Sequence, residues 1–303
     1  MRALIKQLVV ILASLLAAEA FAGHPTPAKF VSREDGARIA YYPLLEAKTV
    51  PLLVLSGGPG TDSSYMRARG ALDELARTRS LVFYDQRGTS KSSDATGRET
   101  IDAYVDDIEA IRNAVGAPQI DILGHSFGGY LAMAYTSRYP QRVRGLVLVD
   151  SAPPKLGDVT QLMEQLFPER IGEWRAKRAT LGKHVTAADV TVFQSMEFVD
   201  EVALREFLDA VKDHRSNMDV NNALRRDMAN RDYRDEVRTF TQPVLVVHGR
   251  FDAVIAPADS WKLHQVLRNS RFQIIEAAGH LPHIERPQAF LAAVQPFLES
   301  LDP

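Results

Sequence analysis

Cysteine is absent from the 303 residues of this chain. Without a thiol the protein can form no disulfide and no cysteine–zinc site, and it offers no cysteine for attachment of a lipid. Cysteine is also excluded as a catalytic nucleophile. The composition is otherwise that of an ordinary globular protein, and 46% hydrophobic residues supply enough apolar material for a large core.

A block of like charges is absent as well. The chain has 36 Lys and Arg against 38 Asp and Glu, and the two signs are interspersed along it. Proteins that bind nucleic acid or an anionic membrane surface carry a basic patch or stripe. We therefore expect neither of these partners, and we expect a small molecule or a short peptide as the ligand.

The N-terminus has the pattern of a secretory signal peptide. Two positive charges precede an apolar run over residues 8–18, and an Ala-Phe-Ala cleavage pattern ends at Ala22. The apolar run is too short to span a bilayer, which disfavours the alternative of an uncleaved anchor. We predict a leader over residues 1–22 and a secreted or periplasmic protein without stable membrane association after cleavage.

Continuous apolar runs alternate with helical patterns along most of the chain. Helical spacing of apolar residues is clearest over residues 100–115. An Asp-Gly pair ending at Gly36 lies between two extended runs and predicts a hairpin. The continuous runs are typical of a parallel sheet covered on both faces, so we predict a mostly parallel, doubly wound α/β fold. These runs occupy residues 51–55, 80–84, 119–123, 143–149, 243–247 and 271–275.

One long segment departs from this alternation. Residues 153–240 lack apolar strand-like runs, are rich in charged residues and Ala, and repeat apolar residues at helical spacing. Such a segment is too long for a loop in a compact fold. We predict a helical cap over residues 153–240, inserted between core segments 23–152 and 241–303.

The candidate nucleophile is Ser126. It lies in Gly124-His-Ser126-Phe-Gly128, between an apolar run that predicts a strand and a run that predicts a helix. This context predicts a nucleophile elbow, a tight turn in which flanking glycines let neighbouring backbone pass close by. The N-terminus of the following helix would stabilise negative charge developing at the Ser. The alternative is a glycine-rich turn with an ordinary Ser.

A nucleophilic Ser needs a base, and the expected chain order is Ser, acid, His. His280 follows the last predicted strand in a glycine-containing loop, where a base is expected. His283, three residues further on, is the alternative. His264 falls in a predicted helix and is interpreted as a surface or packing residue, whereas His248 ends a strand and is interpreted as a structural residue.

The candidate acid is Asp252. It lies in the loop after the strand at residues 243–247, and a rigid Ala-Pro turn that ends at Pro257 follows it. Asp150, which ends the strand after the elbow, is the competing position for the acid.

Acyl transfer also needs donors for an oxyanion. One candidate is the backbone N–H of Phe127, directly after the nucleophile, and the other is the N–H of Gly58 in a Gly-Gly-Pro-Gly loop. The bond between Gly58 and Pro59 is a candidate for the cis form. Phosphate binding by this loop is disfavoured because no Walker lysine or GxGxxG pattern follows it.

Together these segments resemble the α/β-hydrolase superfamily, and within it the proline iminopeptidase (prolyl aminopeptidase) family of serine peptidases. The family's glycine-proline loop resembles residues 56–60, and its Asp-Gln-Arg-Gly segment resembles residues 85–88. The family's acid and base segments resemble residues 249–252 and 279–280. The chain differs from the usual family pattern at Ser56, where His is common, and in the residues that flank the elbow Ser.

The resemblance implies a serine hydrolase that forms an acyl-enzyme on Ser126, with Asp252 and His280 completing a triad and no metal or cofactor. It implies an aminopeptidase of proline iminopeptidase type. The alternatives are a carboxylesterase acting on small acyl esters and, from a different class, a non-catalytic hydrolase homologue that binds a small ligand.

Aminopeptidases of this family hold the substrate's free α-ammonium with carboxylates of the cap. The candidates for that role in this chain are Glu197 and Asp219. A desolvated ammonium needs a nearby negative charge, which makes either position physically suitable. The alternative for each is a solvated side chain on a helix face.

Overall fold

The computed structural model describes residues 26–44, 48–93 and 97–302. The predicted leader, residues 1–22, lies outside the described residues. Within the described ranges, no helix has the length and apolar character needed to cross a membrane.

Strands of the described chain form one large sheet and one small one. Their bounds are β1 (Lys29–Ser32), β2 (Arg38–Leu44), β3 (Leu52–Leu55), β4 (Leu81–Tyr84), β5 (Ile120–His125), β6 (Val143–Val149), β7 (His184–Thr186), β8 (Arg215–Asn217), β9 (Val244–Gly249) and β10 (Ser270–Ile275). The large sheet has the order β1-β2-β4-β3-β5-β6-β9-β10, and β7 pairs with β8. Pairing is antiparallel at β1–β2 and β2–β4 and parallel through the rest of the large sheet. The predicted hairpin and the mostly parallel sheet are thus confirmed.

Helices connect the strands and cover both faces of the large sheet. Their bounds are α1 (Ala71–Ala76), α2 (Ile101–Ala114), α3 (Phe127–Arg138), α4 (Leu162–Leu166), α5 (Pro168–Arg178), α6 (Ala187–Gln194), α7 (Glu201–Ala210), α8 (Met218–Ala229), α9 (Arg234–Val237), α10 (Pro257–Val266), α11 (Pro282–Glu285) and α12 (Pro287–Glu299). Short 3-10 segments occupy Ser63–Gly70, Pro140–Arg142 and Leu156–Asp158.

The core has two layers because alternate strand residues point to opposite faces. In β3, Leu53 and Leu55 pack with α2 and α3 on one face, whereas Leu52 and Val54 pack with α1 and α12 on the other. All four side chains are buried. Burial on both faces explains why the strands are continuous apolar runs in the sequence.

The chain between β6 and β9, residues 150–243, forms what we call the insertion. It contains helices α4 to α9, in keeping with the helical pattern, together with the short strands β7 and β8. The two strands were not predicted because each has only three residues and neither is an apolar run. β8 also pairs with the loop after β3, where Asn217 N–H donates to the Gly60 carbonyl at 2.7 Å.

A second contact holds the insertion to the same loop. The side-chain amide of Asn221 donates to the carbonyl of Pro59 at 2.9 Å. The side-chain amide of Asn217 donates to the carbonyl of Gly88, in the loop after β4, at 3.0 Å. The loop after β3 is therefore shaped by the insertion as well as by the sheet.

Gly128→Ala should lower the free energy of unfolding by about 3 kcal/mol. A Cβ at Gly128 would overlap the carbonyl oxygen of Leu55, and a backbone atom cannot move aside as a side chain can. Denaturant unfolding followed by circular dichroism measures the change.

Gly172→Ala in α5 is the matched control, since a Cβ there meets nothing within 4 Å. This change should leave stability unaltered or raise it by up to about 1 kcal/mol. Equal unfolding midpoints for Gly128→Ala and the wild type would contradict the close approach of α3 to β3.

Candidate active site

Ser126 lies in a tight turn between β5 and α3, as the elbow pattern predicts. Its backbone has φ 54° and ψ −116°, a conformation that is strained for a residue with a side chain. Such a turn requires glycine on both sides. A Cβ at Gly124 would overlap the backbone of Gly128, and one at Gly128 would overlap the backbone of β3. The half-buried Ser126 side chain lines a cavity at the carboxyl ends of the strands.

His280 and Asp252 are paired beside this turn. The Nδ1 of His280 lies 2.7 Å from Oδ2 of Asp252, and both side chains are buried. The other carboxylate oxygen, Oδ1, accepts hydrogen bonds from the N–H groups of Val254 at 2.7 Å and Ile255 at 3.1 Å. His280 itself lines the same cavity as Ser126. The structure therefore brings together the three residues that the sequence selected.

The pair carries opposite charges when His280 is protonated. Burial lowers the pKa of His280, but the charge and the hydrogen bond of Asp252 outweigh burial and leave this pKa above its ordinary value of 6.5. Burial raises the pKa of Asp252, but the charge of His280 and a hydrogen bond from His248 outweigh it and hold that pKa far below its ordinary value. Asp252 is thus an ionised partner for the imidazole.

Asp150, the competing acid, lies behind Asp252. Its Oδ1 accepts a hydrogen bond from Gly249 N–H at 3.0 Å and lies 3.5 Å from Nε2 of His248. Burial, and then the negative charge of Asp252, raise the pKa of Asp150 well above its ordinary value. Ionisation of Asp150 is therefore disfavoured, and within the described chain no hydrogen bond joins it to His280.

Asp150, His248 and Asp252 offer ligand atoms that lie within 4.8 Å of one another. The imidazole of His248 is already engaged on both sides, with Nδ1 2.7 Å from the Ser260 hydroxyl and Nε2 2.9 Å from the Ile255 carbonyl. The cluster therefore has the contacts of a buried hydrogen-bond network that orients Asp252.

A second network, missed from the sequence, joins the loop after β3 to His280. The Gly57 N–H donates to the Tyr65 hydroxyl at 2.7 Å, and this hydroxyl lies 2.6 Å from Nδ1 of His125. Nε2 of His125 lies 2.8 Å from the backbone carbonyl of His280. Burial lowers the pKa of His125 well below its ordinary value, so the ring is neutral. Nε2–H then donates to the carbonyl of His280, and Nδ1 accepts from Tyr65.

Two backbone N–H groups remain near Ser126. Because the Gly57 N–H donates to Tyr65, the next donor of the loop is Gly58, whose φ of 119° is a conformation that glycine adopts readily. The other is Phe127, the first residue of α3. Neither N–H donates to another described residue, and both residues line the cavity. The bond between Gly58 and Pro59 is cis, as anticipated.

The Asp-Gln-Arg-Gly segment is hydrogen-bonded to the loop after β3. The side-chain amide of Gln86 donates to the Ser56 carbonyl at 2.7 Å. Arg87 forms a buried ion pair with Asp107 at 2.7 Å. None of the four residues of the segment lines the cavity, so the segment positions backbone and does not select a substrate.

The cavity has a volume of about 470 Å³ and contains Glu197. Burial raises the pKa of Glu197 to about 7, with the charge of His280 opposing the shift. Its backbone carbonyl accepts the N–H of His280 at 2.7 Å, which fixes Glu197 beside the candidate base. Its carboxylate accepts no hydrogen bond from the described residues.

The structure does not bring Asp219 to the cavity. Asn217 caps α8 by accepting the N–H of Asp219 at 3.1 Å, which places Asp219 in the first turn. In that turn Met218 and Asn221 face the cavity and Val220 faces the core, so Asp219 falls on the remaining, exposed face. The helix was predicted, but its rotation about its axis was not.

His283, the alternative base, packs behind the site. Its ring centroid lies 5.2 Å from that of His125, and neither ring nitrogen has a hydrogen-bond partner among the described residues. Burial lowers the pKa of His283 to about 3, so the ring is neutral. It does not line the cavity.

The sequence matches the α/β-hydrolase fold family over residues 50–287. The chain therefore belongs to the α/β-hydrolase family and is a hydrolase of that fold. Among its relatives it resembles the proline iminopeptidases. One of these, from Heyndrickxia coagulans, is 30% identical across 83% of this chain and 91% of its own length.

Other relatives have different activities. A 2-hydroxy-6-oxo-2,4-heptadienoate hydrolase from Pseudomonas putida is 26% identical across 83% of this chain and 89% of its own length. The crystal structure of a thermophilic esterase from Thermogutta terrifontis superimposes with a TM-score of 0.70 at 23% identity, covering 92% of this chain and all of that one. This last similarity shows the fold alone.

Asp252→Asn should lower the pKa of His280. The amide keeps the shape and the hydrogen bond to Nδ1, but it removes the negative charge that offsets burial. Titration of the His280 imidazole by NMR measures both pKa values, and the wild-type value should exceed 6.5.

Asp219→Asn serves as the matched change at an exposed acid and should not alter the titration of His280. A wild-type pKa below 6.5, or an unchanged pKa in Asp252→Asn, would show that the carboxylate does not dominate the environment of His280.

Proposed function

We propose that this protein is a serine hydrolase that removes the N-terminal residue from peptides or amides, an aminopeptidase of proline iminopeptidase type. The observation that carries the proposal is the cavity itself. A strained elbow Ser, an imidazole paired with a buried carboxylate and a free carboxylate line one space. The similarity to proline iminopeptidases supports the same activity.

The reaction begins when Oγ of Ser126 attacks the carbonyl carbon of the scissile bond and its proton passes to Nε2 of His280. Asp252 holds the other side of the ring and stabilises the imidazolium. The oxyanion receives hydrogen bonds from the N–H groups of Gly58 and Phe127, which are preorganised by backbone geometry.

The imidazolium of His280 then returns the proton to the leaving amine, and the carbon–nitrogen bond breaks. The remaining acyl group is an ester of Ser126. A water molecule attacks the carbonyl carbon of this ester while His280 accepts one of the water protons. The tetrahedral intermediate then breaks down, His280 returns the proton to Oγ of Ser126, and the acid is released.

Glu197 supplies the preference for a free N-terminus. Its carboxylate faces the cavity and accepts no hydrogen bond from the described residues, so an entering ammonium gains a strong electrostatic partner. Because burial raises its pKa to about 7, the carboxylate is charged above that pH and neutral below it. Because Glu197 lies beside His280, an ammonium bound to Glu197 would lie close to the bond that is cleaved.

A carboxylesterase is the second candidate, and the apolar part of the cavity favours it. Leu162, Met163, Trp174 and Phe193 line the cavity, and such a surface accepts an acyl chain. The same nucleophile and oxyanion donors would serve an ester, whose leaving group needs less assistance than an amine.

The test of the serine mechanism is labelling of the full chain with a fluorophosphonate probe. The wild type should be labelled and Ser126→Ala should not, because the probe reacts with an activated Ser hydroxyl. Ser216→Ala removes another hydroxyl that lines the cavity and should leave the labelling intact. An unlabelled wild type, or equal labelling of Ser126→Ala, would refute the mechanism.

The substrate class is tested by comparing prolyl and alanyl arylamides with short-chain aryl esters. Turnover of the arylamides supports the aminopeptidase. Turnover of the esters with no cleavage of either arylamide would replace the aminopeptidase with the esterase.

Glu197→Gln should reduce kcat/KM for a prolyl arylamide by about 10- to 100-fold, the range of a charged hydrogen bond, and leave butyrate ester hydrolysis within about twofold. In the wild type, kcat/KM for the arylamide should fall as the pH drops through about 7, where Glu197 becomes protonated. Steady-state kinetics of both substrates against pH provides the measurement.

Asp219→Asn is the control, since this acid lies on the exposed face of α8 and should not affect either substrate. An equal loss of arylamide and ester hydrolysis in Glu197→Gln would mean that Glu197 supports the site without binding an ammonium.

A further inference from the structure

Helices α5 and α8 contribute three arginines to the lining of the cavity: Arg175, Arg178 and Arg225. The charge of Arg175 is compensated, because its guanidinium forms an ion pair with Glu164, which lines the same cavity. The other two, which we call the arginine pair, have different surroundings.

The arginine pair has no carboxylate partner in the described ranges. Arg178 donates to the neutral amide oxygens of Asn221 at 3.3 Å and Asn222 at 3.1 Å. Arg225 forms no ion pair or hydrogen bond with any described residue. Burial and the adjacent positive charge of Arg178 both lower the pKa of Arg225.

Arg178 is half-buried and Arg225 is exposed, whereas two fully buried arginines of this protein each have a carboxylate partner. Arg79 pairs with Asp121 at 3.2 Å, and Arg87 pairs with Asp107 at 2.7 Å. Two neighbouring guanidinium groups that lack such partners repel each other, and an anion bound between them relieves this repulsion. The pair therefore has the electrostatics of an anion site that is completed by a ligand.

The position of the pair relates this site to the reaction centre. Asn221, which accepts from Arg178, donates with the other end of its amide to the Pro59 carbonyl at 2.9 Å. Arg178 is therefore one side chain away from the loop that carries Gly58. Glu197, by contrast, is fixed beside His280. The arginine pair thus adjoins the loop that carries Gly58, whereas the carboxylate of Glu197 adjoins the loop that carries His280.

We propose that Arg178 and Arg225 bind a carboxylate of the substrate, and that the preferred substrates are peptides of two or three residues with both termini free. The inference rests on the proposed aminopeptidase activity. Glu197 takes the ammonium, the arginine pair takes the carboxylate, and the first peptide bond lies at Ser126. The planar guanidinium fork suits a carboxylate, and a cavity of about 470 Å³ limits the length.

The test compares dipeptides that have no carboxylate or carry one at different positions. Three substrates are used: Pro-Ala with a free C-terminus, Pro-Ala amide and Pro-Glu amide. The wild type should cleave the free acid with a kcat/KM about 10- to 100-fold above that of Pro-Ala amide, the range of a charge-assisted hydrogen bond. A similar advantage for Pro-Glu amide would identify an acidic side chain as the source of the carboxylate.

Arg225→Gln and Arg178→Gln should each reduce the ratio of free acid to amide towards one. The ratio compares two substrates in one preparation, so a misfolded fraction cancels. Arg226→Gln is the matched control because Arg226 adjoins Arg225 in α8 and is also exposed, but does not line the cavity. This variant should keep the wild-type ratio.

Equal kcat/KM values of the wild type for all three dipeptides, or an unchanged ratio in Arg225→Gln, would overturn the carboxylate site. If the wild type still cleaves a prolyl arylamide in that case, the aminopeptidase stands and only this inference fails. If it cleaves no arylamide and no dipeptide, both fail together.

Discussion

An ionised carboxylate buried beneath the cavity is the constraint on which the rest of the site depends. Asp252 is fully buried, and a charge in that position is stable only if donors surround it. The turn after β9 provides two backbone N–H groups, and His280 provides the third donor. The loops after β9 and β10 must therefore keep their relative positions. Gly249 and Gly279 allow this, because a Cβ at Gly249 would overlap the carbonyl of Gly279.

The same constraint decides which of two acids is charged. Asp150 and Asp252 lie close together, and two adjacent carboxylates cannot both ionise at low cost. Asp252 has the larger number of donors, whereas the described contacts of Asp150 include one backbone N–H from Gly249. The sequence placed an Asp at the end of both strands and left the choice open. Three-dimensional hydrogen bonding favours Asp252 as the charged acid, and burial beside Asp252 raises the pKa of Asp150.

The parts of the structure that follow from local pattern and chain order could be predicted. Buried strands can be recognised as continuous apolar runs. Ser126, Asp252 and His280 were selected as candidates because this fold places functional residues at strand ends in a fixed order. The contact of Tyr65 with His125 could not be predicted, because it joins residues 60 positions apart and depends on the path of an irregular 3-10 segment. Nor could the side of α8 on which Asp219 lies be predicted, since packing sets the rotation of this helix about its axis.

The segments that resemble the family do not all contribute to function in the same way. The Asp-Gln-Arg-Gly segment is buried, with Gln86 hydrogen-bonded to the loop after β3 and Arg87 paired with Asp107 of α2. Its presence indicates a shared scaffold. The contacts that we propose for the substrate, those of Glu197 and Arg225, instead come from the insertion, where sequence patterns are weakest. The identity of the scaffold is therefore easier to read from the sequence than the identity of the substrate.

The hydrogen bonds from Asn217 and Asn221 to the loop after β3 have a consequence for how such enzymes diversify. Recombination that replaced the whole insertion would also remove the donors that hold the carbonyls of Gly60 and Pro59. The N–H of Gly58 lies in that same loop. In this protein, an exchanged insertion would have to supply equivalent donors to these two carbonyls, so the insertion is not a freely interchangeable module.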